Sequence, residues 1–126
     1  NMKNKILKID DIKGNVYEID EWKDQQAPEL QHFFNEKIKE IKSLYDDLLE
    51  NYKWNKIIYD SEIMFVPVLG KKYYLYENKK GKNFLSLIAP DEWSNNLNDS
   101  IDFIGSFKQD SNLRWNAVYI EKVLTD

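Results

Sequence analysis

The sequence predicts one α+β domain over residues 2–126, in which a long helix packs on an antiparallel β-meander and a β-hairpin precedes the helix. Three observations support this fold class. Two short β-like runs flank a turn within residues 2–24, apolar residues follow the helical period over residues 29–60, and aromatic and β-branched residues recur at short intervals over residues 62–120. The expected order is therefore hairpin, helix, sheet.

The N-terminal hairpin is predicted from residues 6–9 and 16–19, which are short and rich in Ile, Val and Tyr. The connection over residues 10–15 contains Gly14 and Asn15, which are residues that turns favour. We expect this hairpin to extend or to cap the main sheet.

The helix is predicted from an apolar stripe at helical spacing. Its members are Leu30, Phe33, Phe34, Ile38, Ile41, Leu44, Tyr45, Leu48 and Tyr52. An end near Tyr52 would place Asp46, Asp47 and Glu50 close to the negative end of the helix dipole, which is unfavourable. We therefore extend the helix to about Asp60 and expect the stripe to pack on the sheet.

The sheet is predicted to begin with residues 63–69, where Pro67 indicates an edge strand or a bulge, because proline cannot donate to a ladder. Residues 73–76 and 84–88 read as a hairpin around Gly81. Both faces of residues 84–88 are apolar, so we expect the helix to cover one face and the N-terminal hairpin or a second copy to cover the other.

The rest of the meander is predicted over residues 101–120. Pro90 to Trp93 reads as a turn or a single helical turn, and Gly105 interrupts an apolar strand face, which marks a bulge or a close backbone approach. Residues 113–120 form the last predicted strand.

Composition excludes several kinds of chemistry. The chain has no cysteine and one histidine, His32, which excludes thiolate sites, disulfides and two-histidine metal sites. A net charge of −4 argues against binding a nucleic-acid backbone. No apolar run is long enough to span a bilayer. We expect a soluble cytoplasmic protein with no metal and no cofactor.

The charged motifs are weak candidates for catalysis. The carboxylate pairs Asp10–Asp11, Asp46–Asp47 and Asp91–Glu92 are adjacent in sequence, so their side chains point apart on regular structure. Residues 79–82 resemble a phosphate-binding loop only superficially, because the glycines and the Ser/Thr after the lysine are missing. Solvated charge is the favoured interpretation for both.

An aromatic site is the strongest functional candidate. An indole beside a carboxylate in a turn offers a flat apolar face with a polar rim. The residues predicted to line a site for a ligand or a partner are Tyr74, Tyr76, Glu92, Trp93, Lys108 and Trp115. In the alternative interpretation, Trp93 and Trp115 plug the two ends of the core.

The same stretch resembles a domain family of unknown function found in bacteria and animals, including a human protein named only as a chromosome-one open reading frame. The matching residues are Tyr73-Tyr74-Leu75-Tyr76, Gly81, Phe84, Ser86, Ile88, Pro90, Glu92-Trp93, Asp102-Phe103, Gly105, Lys108, Leu113 and Trp115. The resemblance covers about two thirds of the chain and implies no established activity or cofactor. The N-terminal hairpin and Arg114 fall outside it.

Three functions follow as hypotheses. The first is a non-enzymatic module that binds a protein partner or self-associates through an aromatic sheet face. The second is a small-ligand or nucleotide-binding domain, including a hydrolase that uses Glu92 and Lys108. The third is an immunity-type inhibitor, since a small acidic protein could bind a basic toxin.

Overall fold

The structure is a computed structural model that describes residues 5–23, 26–93 and 100–124. Its elements are β1 (Lys5–Asp10), β2 (Val16–Asp20), α1 (Pro28–Tyr59), β3 (Glu62–Ile63), β4 (Lys72–Asn78), β5 (Asn83–Ser86), a short 3₁₀ turn (Pro90–Glu92), β6 (Ile101–Gln109) and β7 (Trp115–Ile120). The chain divides into two compact units, Asn1–Leu49 and Glu50–Asp126, and α1 contributes residues to both. The α+β class is confirmed.

The first unit contains the predicted hairpin, which is confirmed. β1 pairs antiparallel with β2 around a turn in which Asp11 accepts backbone N–H bonds from Lys13 and Asn15 at 2.9 and 2.8 Å. The N–H of Asn15 is the main reason why the pKa of Asp11 lies below its ordinary value. Among the described residues these strands form a two-stranded sheet of their own, so the hairpin does not extend the main sheet as expected.

The helix was predicted over residues 29–60 and is observed as Pro28–Tyr59. Pro28 occupies the first helical position, where its missing N–H would have had no intrahelical partner. At the other end, the backbone N–H groups of Asp60 and Ser61 bond the carbonyls of Lys56 and Ile58, which closes the last turn. The prediction of a long helix is confirmed.

The main sheet lies in the second unit and has the strand order β3-β5-β4-β6-β7. The predicted meander is wrong at one edge, because β3 runs parallel to β5 and makes the sheet mixed. The strand expected over residues 63–69 is confined to Glu62–Ile63. After Ile63 the chain leaves the ladder, and the N–H of Val68 bonds the hydroxyl of Tyr73 at 2.7 Å instead.

The core of the second unit forms where the last turns of α1 meet one face of this sheet. Trp54 and Ile58 of the helix pack with a set of buried sheet residues. These are Tyr73, Leu75, Leu85, Ile104, Phe107 and Trp115. The rings of Trp54 and Phe107 lie 5.3 Å apart between centroids, which places Trp54 near the middle of the interface.

The prediction that the long helix packs on the sheet is confirmed for its last turns. Nearer the start of α1, much of the predicted apolar stripe is exposed. Phe33, Ile41, Leu44 and Leu48 keep 50, 53, 70 and 64% of their surface exposed.

Gly105 on β6 confirms the prediction of a close backbone approach. A Cβ atom at this position would lie 2.6 Å from the carbonyl oxygen of Tyr119 on the neighbouring strand. The register between β4 and β6 also shifts at this level, between Leu75 and Tyr76, so a bulge accompanies the approach. Glycine is therefore required for β6 and β7 to pair.

Replacing Gly105 with alanine should lower the free energy of unfolding by about 1–3 kcal/mol, because two strands must separate to admit a methyl group. Chemical denaturation would measure the loss. Lys108→Ala on the exposed part of the same strand is the control and should change stability by less than about 0.5 kcal/mol. Equal effects of the two substitutions would show that the strands yield freely at Gly105.

Candidate functional site

The second face of the main sheet carries a continuous aromatic cluster, which we call the aromatic face. Alternation along the strands places its members on the side opposite Trp54. They are Tyr74, Tyr76, Phe84, Trp93, Phe103 and Tyr119. The cluster lies wholly within the second unit.

Tyr76 is the centre of the aromatic face. Its ring stacks on Phe84 at 5.5 Å, meets Trp93 edge-on at 5.5 Å and lies 5.6 Å from Phe103. Its hydroxyl donates a 2.6 Å hydrogen bond to the carbonyl of Ile88. Burial raises the pKa of this phenol above its ordinary value, so Tyr76 acts as a packed, neutral anchor.

The edge of the aromatic face is more accessible than its centre. Tyr119 stacks on Phe103 at 6.1 Å and keeps 53% of its surface exposed. Leu87 and Ile88, which follow β5, are exposed as well. A partner could therefore contact the rim of this face, whereas the middle is already filled by the protein's own rings.

The structure brings together three of the six residues predicted to form a site: Tyr74, Tyr76 and Trp93. Glu92 is exposed in the neighbouring 3₁₀ turn, and one of its carboxylate oxygens accepts the backbone N–H of Ala89 at 3.0 Å. Lys108 is exposed on β6 opposite Lys72 and Asn116, and strand alternation puts it on the same side of the sheet.

Trp115 lies on the other side of the sheet, in the core, with 6% of its surface exposed. Asn55 of α1 holds its backbone at both polar groups, accepting the N–H at 2.7 Å and donating to the carbonyl at 3.0 Å. Asn51 donates a second bond to the same carbonyl. Trp115 therefore fixes β7 to the helix and does not line the aromatic face.

The sequence interpretation missed Phe84, Phe103 and Tyr119 as members of the aromatic face. Phe84 could have been found from the hairpin around Gly81, because that turn pairs it with Tyr76. Tyr119 was hidden by the register shift between β6 and β7, which places it opposite Ser106.

A second surface lies on α1 within the first unit, and we call it the helix stripe. It consists of Phe34, Ile38, Ile41, Leu44, Tyr45 and Leu48. All six are exposed or half-buried, and at the start of the stripe Trp22 lies 6.5 Å from Phe34 between ring centroids. Asn35 fixes this contact by bonding the backbone N–H and carbonyl of Trp22.

The helix stripe has the spacing of a coiled coil. Phe34, Ile38, Ile41, Tyr45 and Leu48 follow one another at intervals of 4, 3, 4 and 3 residues, which is the heptad pattern that pairs helices. Trp54 and Ile58, which pack on the sheet, do not continue this series. This spacing is visible in the sequence, but we predicted from it only that the stripe packs on the sheet.

Charges flank the helix stripe. Lys42 forms a 2.7 Å salt bridge with Asp46 four residues later, and both side chains are about half exposed. Lys37 pairs with Glu40 at 3.6 Å on the other flank, whereas Lys39 and Glu36 pair at 3.8 Å on the side of the helix that faces away from the stripe. These charged side chains are therefore solvated, and they can form salt bridges with a second molecule instead of with each other.

Two kinds of feature are absent from the described part of the chain. Residues 5–23, 26–93 and 100–124 contain no group of three His, Asp or Glu side chains that could hold a metal ion. Within the same ranges no helix has the length and apolarity needed to cross a membrane.

Comparison with known proteins places this architecture in a family. No solved structure matches the chain significantly. A family model described as "Protein of unknown function (DUF2452)" matches residues 4–123, which is nearly the whole chain and includes the hairpin, the helix and both candidate surfaces. The expected membership in a family of unknown function is confirmed: the chain belongs to the DUF2452 family.

Proposed function

We propose that this protein is a non-enzymatic interaction module that self-associates, with the helix stripe of one copy packed antiparallel against the helix stripe of a second copy. The exposed stripe is the observation that carries the proposal. Ile41, Leu44 and Leu48 each expose more than half of their surface in a row along one side of α1. Contiguous exposed apolar surface of this kind marks interaction sites.

The heptad spacing indicates that the occupant is another helix. An a/d series lets side chains of one helix insert between four side chains of the facing helix. The stripe continues over about two heptads within the first unit, from Phe34 to Leu48.

The charges indicate a second copy in antiparallel orientation. Lys42 borders the stripe, and Asp46, its salt-bridge partner, lies next to it toward the outer side of the helix. If two helices cross antiparallel near Leu44, Lys42 of each copy approaches Asp46 of the other copy. A parallel, in-register pair would offer Lys42 no such partner, because each Lys42 would then lie level with Lys42 of the second copy.

Sedimentation equilibrium of the wild type should give the mass of a dimer when the protein concentration reaches tens of micromolar. The absence of native cysteine allows the orientation to be tested with single introduced thiols. Leu44→Cys lies near the expected two-fold axis and should cross-link to its counterpart with a short thiol reagent. Ile38→Cys should not, because antiparallel counterparts there lie about 18 Å apart along the helix.

Each outcome has one meaning. A monomeric wild type would refute self-association. Cross-linking at Ile38→Cys without cross-linking at Leu44→Cys would refute the antiparallel orientation. The aromatic face does not enter this test, since it lies in the other unit and no thiol is placed on it.

The aromatic face is the weaker of the two candidates for binding a protein, because its centre is occupied by Tyr76. Its rim around Trp93 and Tyr119 remains a proposal for a protein partner.

A further inference from the structure

A cleft of about 680 Å³ lies within the second unit, where the last turns of α1 approach the turn between β6 and β7. Its wall is largely apolar. The residues that matter here are Tyr52, Lys56, Tyr59, Pro67, Leu113 and Trp115. The volume falls in the range of small-molecule sites in proteins.

Three polar side chains of the cleft wall, those of Asn55, Ser61 and Gln109, form hydrogen bonds within the protein itself. Asn55 bonds the backbone of Trp115, Ser61 donates to the carbonyl of Ile58, and Gln109 donates to the carbonyl of Leu113 at 3.0 Å. These groups close the wall and offer a ligand little polar recognition. An occupant must therefore be mainly apolar where it touches them.

Lys56 supplies a positive charge at this cleft. Its side chain is exposed in the last turn of α1, and within the described residues it takes part in no salt bridge. A solvated ammonium beside an apolar wall can bind a carboxylate while the rest of the ligand is buried. The charge at the rim therefore selects an acid rather than an amine.

Leu113 stands in a conformation that leucine rarely adopts. Its φ is +64°, in the left-handed region that favours Gly and Asn. Asp110 fixes this turn by accepting the backbone N–H groups of Asn112 and Arg114, and Asn116 is the main reason why the pKa of Asp110 lies below its ordinary value. These hydrogen bonds thus hold Leu113 in a backbone conformation that is unfavourable for leucine.

Packing of the Leu113 side chain does not offset the cost of this backbone conformation, because 68% of its surface is exposed. It does line the cleft, as does Tyr59, which is 86% exposed. Strained residues that persist without packing benefit are found preferentially at ligand sites. Contact with an apolar ligand would account for a leucine at this position.

We propose that the cleft binds a small carboxylic acid with an apolar body, which lies against Tyr59, Pro67 and Leu113 and places its carboxylate at the ammonium of Lys56. The size of the cleft and the ammonium of Lys56 at its rim favour a free acid of medium chain length. This site lies in the second unit and does not depend on self-association through the helix stripe.

Isothermal titration with decanoate, decanol and decyltrimethylammonium, below their micelle concentrations, would test the proposal. Decanoate should bind more tightly than either analogue. Lys56→Gln should weaken decanoate binding about tenfold and leave decanol binding unchanged. Lys80→Gln, in the exposed β4–β5 turn, is the matched control and should leave all three affinities unchanged.

Leu113→Asn separates a ligand-binding role from a structural one. Asparagine tolerates the left-handed conformation, so the substitution should raise the melting temperature by a few degrees. It should also weaken decanoate binding about tenfold, because the apolar contact is lost. A merely structural leucine would change the melting temperature alone. Absence of decanoate binding, or binding that neither Lys56→Gln nor Leu113→Asn weakens, would overturn the proposal.

Discussion

Replacing Leu48 with glutamate should convert the proposed dimer into a monomer and raise its dissociation constant at least about 100-fold, because two carboxylates would enter an apolar helix interface without partners. Leu48 is 64% exposed in the single chain, so the substitution should leave the folding of each copy nearly unchanged. Sedimentation equilibrium would measure the mass, and circular dichroism would verify the helix.

Ser43→Glu is the matched control for this result. It introduces the same charge on the same helix, and Ser43 is exposed on the side opposite the helix stripe. The control should stay dimeric. Loss of the dimer in both variants would show that added negative charge, rather than the position of the stripe, governs association.

Replacing Trp54 with alanine should lower the free energy of unfolding by about 3–5 kcal/mol, the largest effect expected for any single side chain of this helix. Trp54 is 3% exposed and packs against Phe107 in the core of the second unit. Its loss leaves a cavity between helix and sheet that the neighbouring strands cannot fill. Denaturant titration at low temperature would measure the change.

Tyr59→Ala provides the comparison, since it removes another large aromatic side chain from the same helix. Tyr59 is 86% exposed, so its removal should alter stability by no more than about 0.5 kcal/mol. If the two substitutions had equal effects, Trp54 would not be the residue that joins the helix to the sheet.

The candidate surfaces could be predicted only in part. Tyr74, Tyr76 and Trp93 were grouped from the sequence as a candidate site, and their rings belong to one cluster in the structure. Trp115 was grouped with them, but its place on β7 depends on Asn55, which lies 60 residues earlier and bonds its backbone. Hydrogen bonds of such sequence separation leave no local signal.

The helix stripe also shows how far prediction from sequence reaches. Its residues were recognised as one apolar face, yet which element covers that face is not a property of the helix sequence. Periodicity predicts that a face seeks burial, whereas the length of the sheet decides how much of it is covered. The last turns, with Trp54 and Ile58, meet the sheet, and residues 34–48 keep an exposed face.

The sequence by itself determined the local elements of this protein. The hairpin, the helix from Pro28 to Tyr59, the turn at Gly81 and the close approach at Gly105 all follow from residue preferences that act over a few positions. Tertiary structure alone decided the parallel pairing of β3, the burial of Trp115 and the exposure of the helix stripe. These features depend on which distant segments meet, and the free energy of such contacts is set by packing rather than by local preference.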